Sequence, residues 1–281
     1  MTIRQNMHVH TWLSLCAKEG ATLPRIARAA EAAGLETIGI ADHMDLPEWQ
    51  RERLLVRNHW VLADVETPVQ ILIGSEVSAL GPGVIPLSEE TAQALDFVAI
   101  ACDHYHLEAV ENPRDRSPRG YAAHYLRVVD GALDFAAVDI ISHPWGLQKL
   151  RADAAFRREA MAAYDRAEIR RLLAKAAQRE IAFEIKPPLA TAYPEFFAEI
   201  VELGRAAGVR FALGSDAHRP EEVGYGGPEK MAEAARALDR IGLRDDDLFD
   251  PAVPLRRRGR LAAGLAAGPS PASRLVREQG T

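Results

Sequence analysis

IRQNMHVHT, residues 3–11, reads as a short strand, Ile3 to Val9, that closes on His8-x-His10. Alternate strand residues share a face, so His8 and His10 point to one side of the chain and can chelate a single metal ion. Six further apolar runs follow: Thr37 to Ala41, Val69 to Ser75, Phe97 to Cys102, Val138 to Ser142, Ile181 to Ile185 and Val209 to Gly214. Several are continuous rather than alternating, as expected of strands buried on both faces. Helical patterns fall between them. Leu23 to Ala33 carries Leu23, Ile26, Ala27 and Ala30 at helical spacing and stops at Gly34. The same reasoning predicts helices near Pro47 to Asp64, Ser88 to Ala94, Arg119 to Gly131, Arg158 to Arg179, Pro194 to Ala207 and Pro228 to Ile241. Strands recurring every 30 to 40 residues or so, with helices between, predict a single α/β domain built as a closed or nearly closed barrel.

Composition sets the outer limits. A chain of 281 residues with 48% hydrophobic content can bury one large core. The net charge of -6 speaks against extended nucleic-acid binding, which needs clustered excess Lys and Arg, so an anionic substrate must be met by a local site. Two cysteines, Cys16 and Cys102, are too few for a disulfide framework, and MTIRQNMHVH contains no apolar signal segment. A cytoplasmic protein is expected, with no membrane association, since no apolar run nears the roughly 18 to 20 residues a bilayer requires. Residues 1–250 are expected to form the barrel. From Asp250 the chain turns to Pro, Gly, Ala, Ser and Arg, so residues 251–281 are expected to be a partly disordered extension. Its Arg256, Arg257, Arg258 and Arg260 read as a solvated charge run, or else as a contact for RNA or another anionic partner.

Nine histidines are present, and their places matter more than their number. Beyond His8 and His10, His43 follows the second strand, Glu76 the third, His104 the fourth and His143 the fifth, while Asp216 and His218 follow the last. In a parallel barrel these strand ends lie on one rim, where such folds build their active sites. Chance placement of so many ligand-type groups on one rim is a poor explanation, and a metal centre a good one. His59 and His124 fall inside predicted helices and read as surface or packing residues. Asp42 reads as a group that orients a ligand rather than as one itself.

The phrases MHVHT, GIADH, IGSEV, ISHPWG and GSDAH, in this order, resemble the PHP (polymerase and histidinol phosphatase) family over about residues 6 to 225. An amidohydrolase barrel also opens with His-x-His, but the Glu after the third strand and the final Asp-x-His look like PHP, and no Lys stands at the end of the fourth strand. The resemblance implies a distorted (β/α)7 TIM-like barrel, phosphoesterase activity and two or three divalent ions, Zn, Mn or Fe. Carried over position by position, it implies that His8, His10 and Asp216 hold a first ion, which Glu76 bridges to a second held by His104 and His143. His43 and His218 would bind a third. Most relatives carry another His or an Asp six residues after the second His, where this chain has Cys16. Either Cys16 completes a Cys/His/His site suited to zinc or iron, or it is a small buried residue and two ions bind.

Clustered divalent ions acidify bound water and neutralise charge growing on substrate oxygens, so hydrolysis is the expected reaction. Asp216 or His218 is the candidate proton carrier. Lys186, where many relatives carry Asn, and Arg219 are candidates for holding substrate oxygens. His106 either faces the substrate or replaces His104 as ligand. Arg114, Arg116 and Arg119 form either a lid or a solvated loop. The favoured function is a phosphoesterase acting on a small phosphorylated metabolite or a nucleotide end. Metal-dependent hydrolysis of a C–N or carboxylic ester bond, and a non-catalytic structural module, are the other readings. The sequence leaves the substrate, the metal and the oligomeric state open.

Overall fold

The computed structural model describes residues 1–14, 16–18, 20–44, 64–147, 150 and 153–259. Seven parallel strands pair strictly in chain order: β1 (Gln5–Val9), β2 (Thr37–His43), β3 (Gln70–Ser78), β4 (Val98–Ala101), β5 (Ile140–Ser142), β6 (Ala182–Ile185) and β7 (Phe211–Leu213). Around them run α1 (Leu23–Ala32), α2 (Glu89–Ala94), α3 (Pro118–Asp134), α4 (Ala154–Ala163), α5 (Arg166–Gln178), α6 (Pro187–Ala192), α7 (Pro194–Ala207), α8 (Pro228–Arg240) and α9 (Ala252–Arg257). The result is the expected single-domain, nearly closed α/β barrel.

The seam between β1 and β7 is closed differently at its two ends. At the C-terminal end, the His10 N–H donates to the Ala217 carbonyl at 2.8 Å and the Ala217 N–H to the His8 carbonyl at 3.3 Å. The first and last metal-type motifs are therefore stitched to each other by backbone bonds. At the N-terminal end, the Phe249 N–H donates to Phe211 O at 2.9 Å, and Gln5 Nε2 reaches Phe249 O at 3.1 Å. Apolar residues plug this end, Met7, Leu72, Phe97, Phe249 and Leu255 among them. Phe97 lies flat against β2 and β3 only because Gly39 and Gly74 have no side chain: a Cβ at Gly74 would stand 2.3 Å from the ring.

Three expectations differ from the structure. The helix expected over Arg158 to Arg179 is two helices, α4 and α5. Asp165 caps α5 by accepting from Ala167 N at 2.8 Å, and buried Tyr164 donates to Trp145 O at 3.0 Å, which fixes the break. Helix α6, directly after β6, was not anticipated, because a six-residue helix has too little periodicity to read. The arginine run is the third case. Arg258 places its guanidinium on buried Asp139, at 2.7 Å and 3.1 Å, and Arg257 donates to Val138 O at 2.9 Å, so this stretch underpins the barrel rather than lying solvated. Arg260, His59 and nearly all of the predicted Pro47 to Asp64 helix lie outside the described residues.

Candidate metal centre

The strand ends bring His8, His10, His43, Glu76, His104, His143, Asp216 and His218 to one rim, as the spacing predicts. What the sequence could not display is how the rings are aimed. His8 Nδ1 lies 3.1 Å from Glu184 Oε1, His10 Nδ1 3.2 Å from Ser14 Oγ, His104 Nδ1 2.7 Å from Ser78 Oγ, and His143 Nδ1 2.9 Å from Asp103 Oδ1. Each ring is thus held from behind through Nδ1 and presents Nε2 to the centre, the arrangement by which outer groups orient metal-binding histidines. Asp42 acts one step further out. Its carboxylate accepts from Thr11 N, Thr11 Oγ1 and Ser14 Oγ at 2.6–2.7 Å, and Ser14 in turn holds His10.

Glu76 stands at the middle. Its Oε1 is 2.7 Å from His143 Nε2 and 3.8 Å from His104 Nε2, while Oε2 is 3.4 Å from His8 Nε2 and 3.3 Å from His43 Nδ1. Asp216 Oδ1 faces His10 Nε2 at 3.1 Å and His8 Nε2 at 3.5 Å. Glu76 Oε2 and His104 Nε2 are buried with no hydrogen-bond partner among the described residues, a costly condition that a cation would relieve. Among the described residues, four triads have donor atoms all within 4.8 Å of one another: His8, His10 and Glu76; Glu76, His104 and His143; His10, Asp216 and His218; and His10, Cys16 and His43. Imidazole, carboxylate and thiolate donors at such spacing suit zinc, manganese or iron.

Burial and charge divide the rings. Burial drives His10 down to about 4 and His104 to about 3. Burial works the same way on His143, but Asp103 and Glu76 outweigh it and raise that ring to about 9. His8 is likewise raised, with Glu184, Glu76 and Asp216 overcoming burial. Burial also opposes ionisation of Glu76 and Asp216; His8 and His143 hold the first, and Lys186 and His8 the second, well below the usual carboxylate range. The backbone bends to this site: Asp216 and His143 both take left-handed conformations, at φ 57° and 28°.

Cys16 is exposed, not a buried packing residue. It groups with His10 and His43, while His218 groups with His10 and Asp216; His10 stands between the two sets. Lys186 Nζ sits on Asp216 Oδ2 at 2.9 Å. Exposed Arg219 lines a cavity of about 710 Å³ beside Asp216, His218 and Cys16. His106 is exposed, its ring centroid 5.3 Å from that of His104. Arg114, Arg116 and Arg119 are exposed as well, and Arg116 is tied to Asn112 Oδ1 and the Tyr121 hydroxyl. His124 is buried against the Tyr105 hydroxyl, a packing role. Glu184, Asp103, Ser78 and Ser14 escaped the sequence reading. Glu184 had one available signal: two residues before Lys186 on β6, it shares that strand's inward face.

No family model matches the chain. Over 270 residues, 87% of this chain and 96% of the relative, it is 27% identical to a Deinococcus radiodurans protein named "Probable histidinol-phosphatase". Its fold is similar to a crystal structure of histidinol phosphate phosphatase from Lactococcus lactis, complexed with zinc, L-histidinol and phosphate. That match has a TM-score of 0.58 and 16% identity, and it covers 87% of this chain and 95% of the other. Among the described residues no helix is long and apolar enough to cross a membrane.

Proposed function

We propose that this chain is a PHP-type, metal-dependent phosphoesterase that hydrolyses a small phosphorylated metabolite. The observation that carries the reading is the convergence of the His8, His104 and His143 Nε2 atoms on buried Glu76, each ring locked from behind. His8, His10 and Asp216 would hold one ion and His104 and His143 a second, with Glu76 between them. His43, with Cys16 or His218, would hold a third. Bound divalent ions supply acidified water at neutral pH and neutralise charge on the phosphoryl oxygens.

The chain's own groups do the rest. Glu184 and Ser78 fix the tautomers of His8 and His104, so that each ring faces inward through Nε2. Arg219 borders the cavity and supplies a guanidinium fork for a phosphate oxygen. Where Cys16 rather than His218 completes the third site, His218, 23% exposed and lining the same cavity, would take up or return a proton at the substrate. The cavity volume suits a small organic substrate rather than phosphate alone. The relative's name makes histidinol phosphate the first compound to try. Steady-state assays of histidinol phosphate, an aryl phosphate and a phosphodiester, with and without chelator, test the reading. Metal-dependent release of phosphate is expected; hydrolysis that survives complete metal removal, or binding of less than one ion per chain, overturns it.

A further inference from the structure

Lys186 is buried, at 8% exposed. Burying an ammonium is costly, and the chain arranges it deliberately. Lys186 is the residue after β6 and the cap of α6, where Pro187 and Pro188 stiffen the backbone. Strand alternation puts it on the same side as Glu184, so β6 delivers a carboxylate behind His8 and an ammonium onto Asp216. The Asp216 carboxylate is thereby divided: Oδ2 is 2.9 Å from Lys186 Nζ, while Oδ1 faces His10 at 3.1 Å and His8 at 3.5 Å. A buried ion pair contributes little net stability, so stability alone does not account for the lysine.

We infer that Lys186 is a positioning residue that restricts Asp216 to one metal-facing oxygen and, through its charge, loosens the centre's hold on the adjacent ion. This rests on the metal-centre reading given above. A carboxylate that offers one oxygen leaves coordination positions for substrate and water, as hydrolytic sites require. The charge effect has a definite sign. A unit positive charge a few ångström from a divalent ion lowers its affinity about tenfold even at the dielectric constant of water.

The test is metal affinity by chelator competition, at one pH, for the Mn²⁺-loaded and Zn²⁺-loaded wild type and for Lys186→Met, Lys186→Gln and Lys186→Arg. Met and Gln should each bind one ion about tenfold more tightly, with a lower kcat, while Arg keeps the wild-type affinity. Affinity in Met and Gln that is unchanged or weaker overturns the inference. So does a Gln variant matching wild type while Met tightens, because the hydrogen bond rather than the charge would then be responsible. Should Met fail to fold, Gln against Arg gives the same contrast. A wild type that binds less than one ion per chain sinks the metal-centre reading itself, a result distinct from all of these.

Discussion

The two ends of the barrel both bury carboxylates, and they treat them in opposite ways. At the N-terminal end Asp139 receives Arg258, Arg257 and the Val98 N–H at 2.7–3.2 Å. Asp96 likewise accepts from Ile73 N at 2.8 Å. Asp139 is thus matched by two arginines and by the first amide of β4, and Asp96 by an amide within β3. At the C-terminal end Glu76 is ringed by imidazoles, with an oxygen that finds no hydrogen bond among the described residues. Carboxylates whose oxygens are matched mark a structural end; a carboxylate crowded by ligand-type rings and left short of a hydrogen bond marks an end built to hold something else.

The comparison predicts separable consequences. Glu76→Ala should lower activity by a factor on the order of 10³ or more and reduce metal content, since removing a central electrostatic group typically costs that much. Its apo melting temperature should fall, but by less than that of Asp139→Ala, because His8 and His143 can shed their protons once the carboxylate is gone, whereas an arginine cannot. A steep loss of apo stability instead would erase the distinction between the ends.

Asp139→Ala should do the reverse. It strands the Arg258 guanidinium and the Val98 N–H, at a cost of about 3–5 kcal/mol. Denaturant midpoints measure this, and the fraction that remains folded should still bind its full complement of metal. A folded Asp139→Ala protein that has lost its ions would mean that the lower end shapes the upper one.

The same contrast explains what the sequence could display. The rim was legible because it is one-dimensional information: His8, His43, Glu76, His104, His143 and Asp216 each follow an apolar run, and a parallel barrel gathers strand ends. The supporting groups were not, because Glu184 reaches His8 and Ser78 reaches His104 across different strands, and nothing local marks such pairs. The lower end was misread for a related reason. Arg257 and Arg258 look like a solvated charge run until Asp139, 119 residues earlier than Arg258, is known to face them. The division of α4 from α5 turned on the Asp165 cap, which a continuous run of helix-forming residues conceals.

Cys16 sharpens the comparison from the upper side, as an exposed thiol beside His10 and His43. If it ligates, Cys16→Ser should lose about one ion per chain, a hydroxyl being a much poorer zinc ligand than a thiolate. Elemental analysis of the zinc-loaded protein reads this directly. Full metal content in the variant would reduce the centre to its histidines and carboxylates.

The smallest effect is expected outside both ends, at Asp247. Its carboxylate takes both arms of Arg205, at 2.9 Å and 2.5 Å, and the Arg244 N–H at 2.9 Å. Burial pushes the acid up, but the Arg205 bonds and the Arg244 N–H outweigh it and hold Asp247 below the usual aspartate value. A carboxyl depressed in the folded state adds stability that is fully present above its unfolded value, about 3.9, and is lost as pH falls through the folded one. Arg205 stays charged throughout. Because its side chain is 35% exposed, solvent screens the pair, and Asp247→Asn should cost only about 1 kcal/mol at pH 7. Urea midpoints of wild type and variant should therefore differ slightly at pH 7 and converge as the pH drops below about 4. A gap that persists undiminished in acid would mean that Asp247 acts through its shape and hydrogen bonds and that its charge is idle.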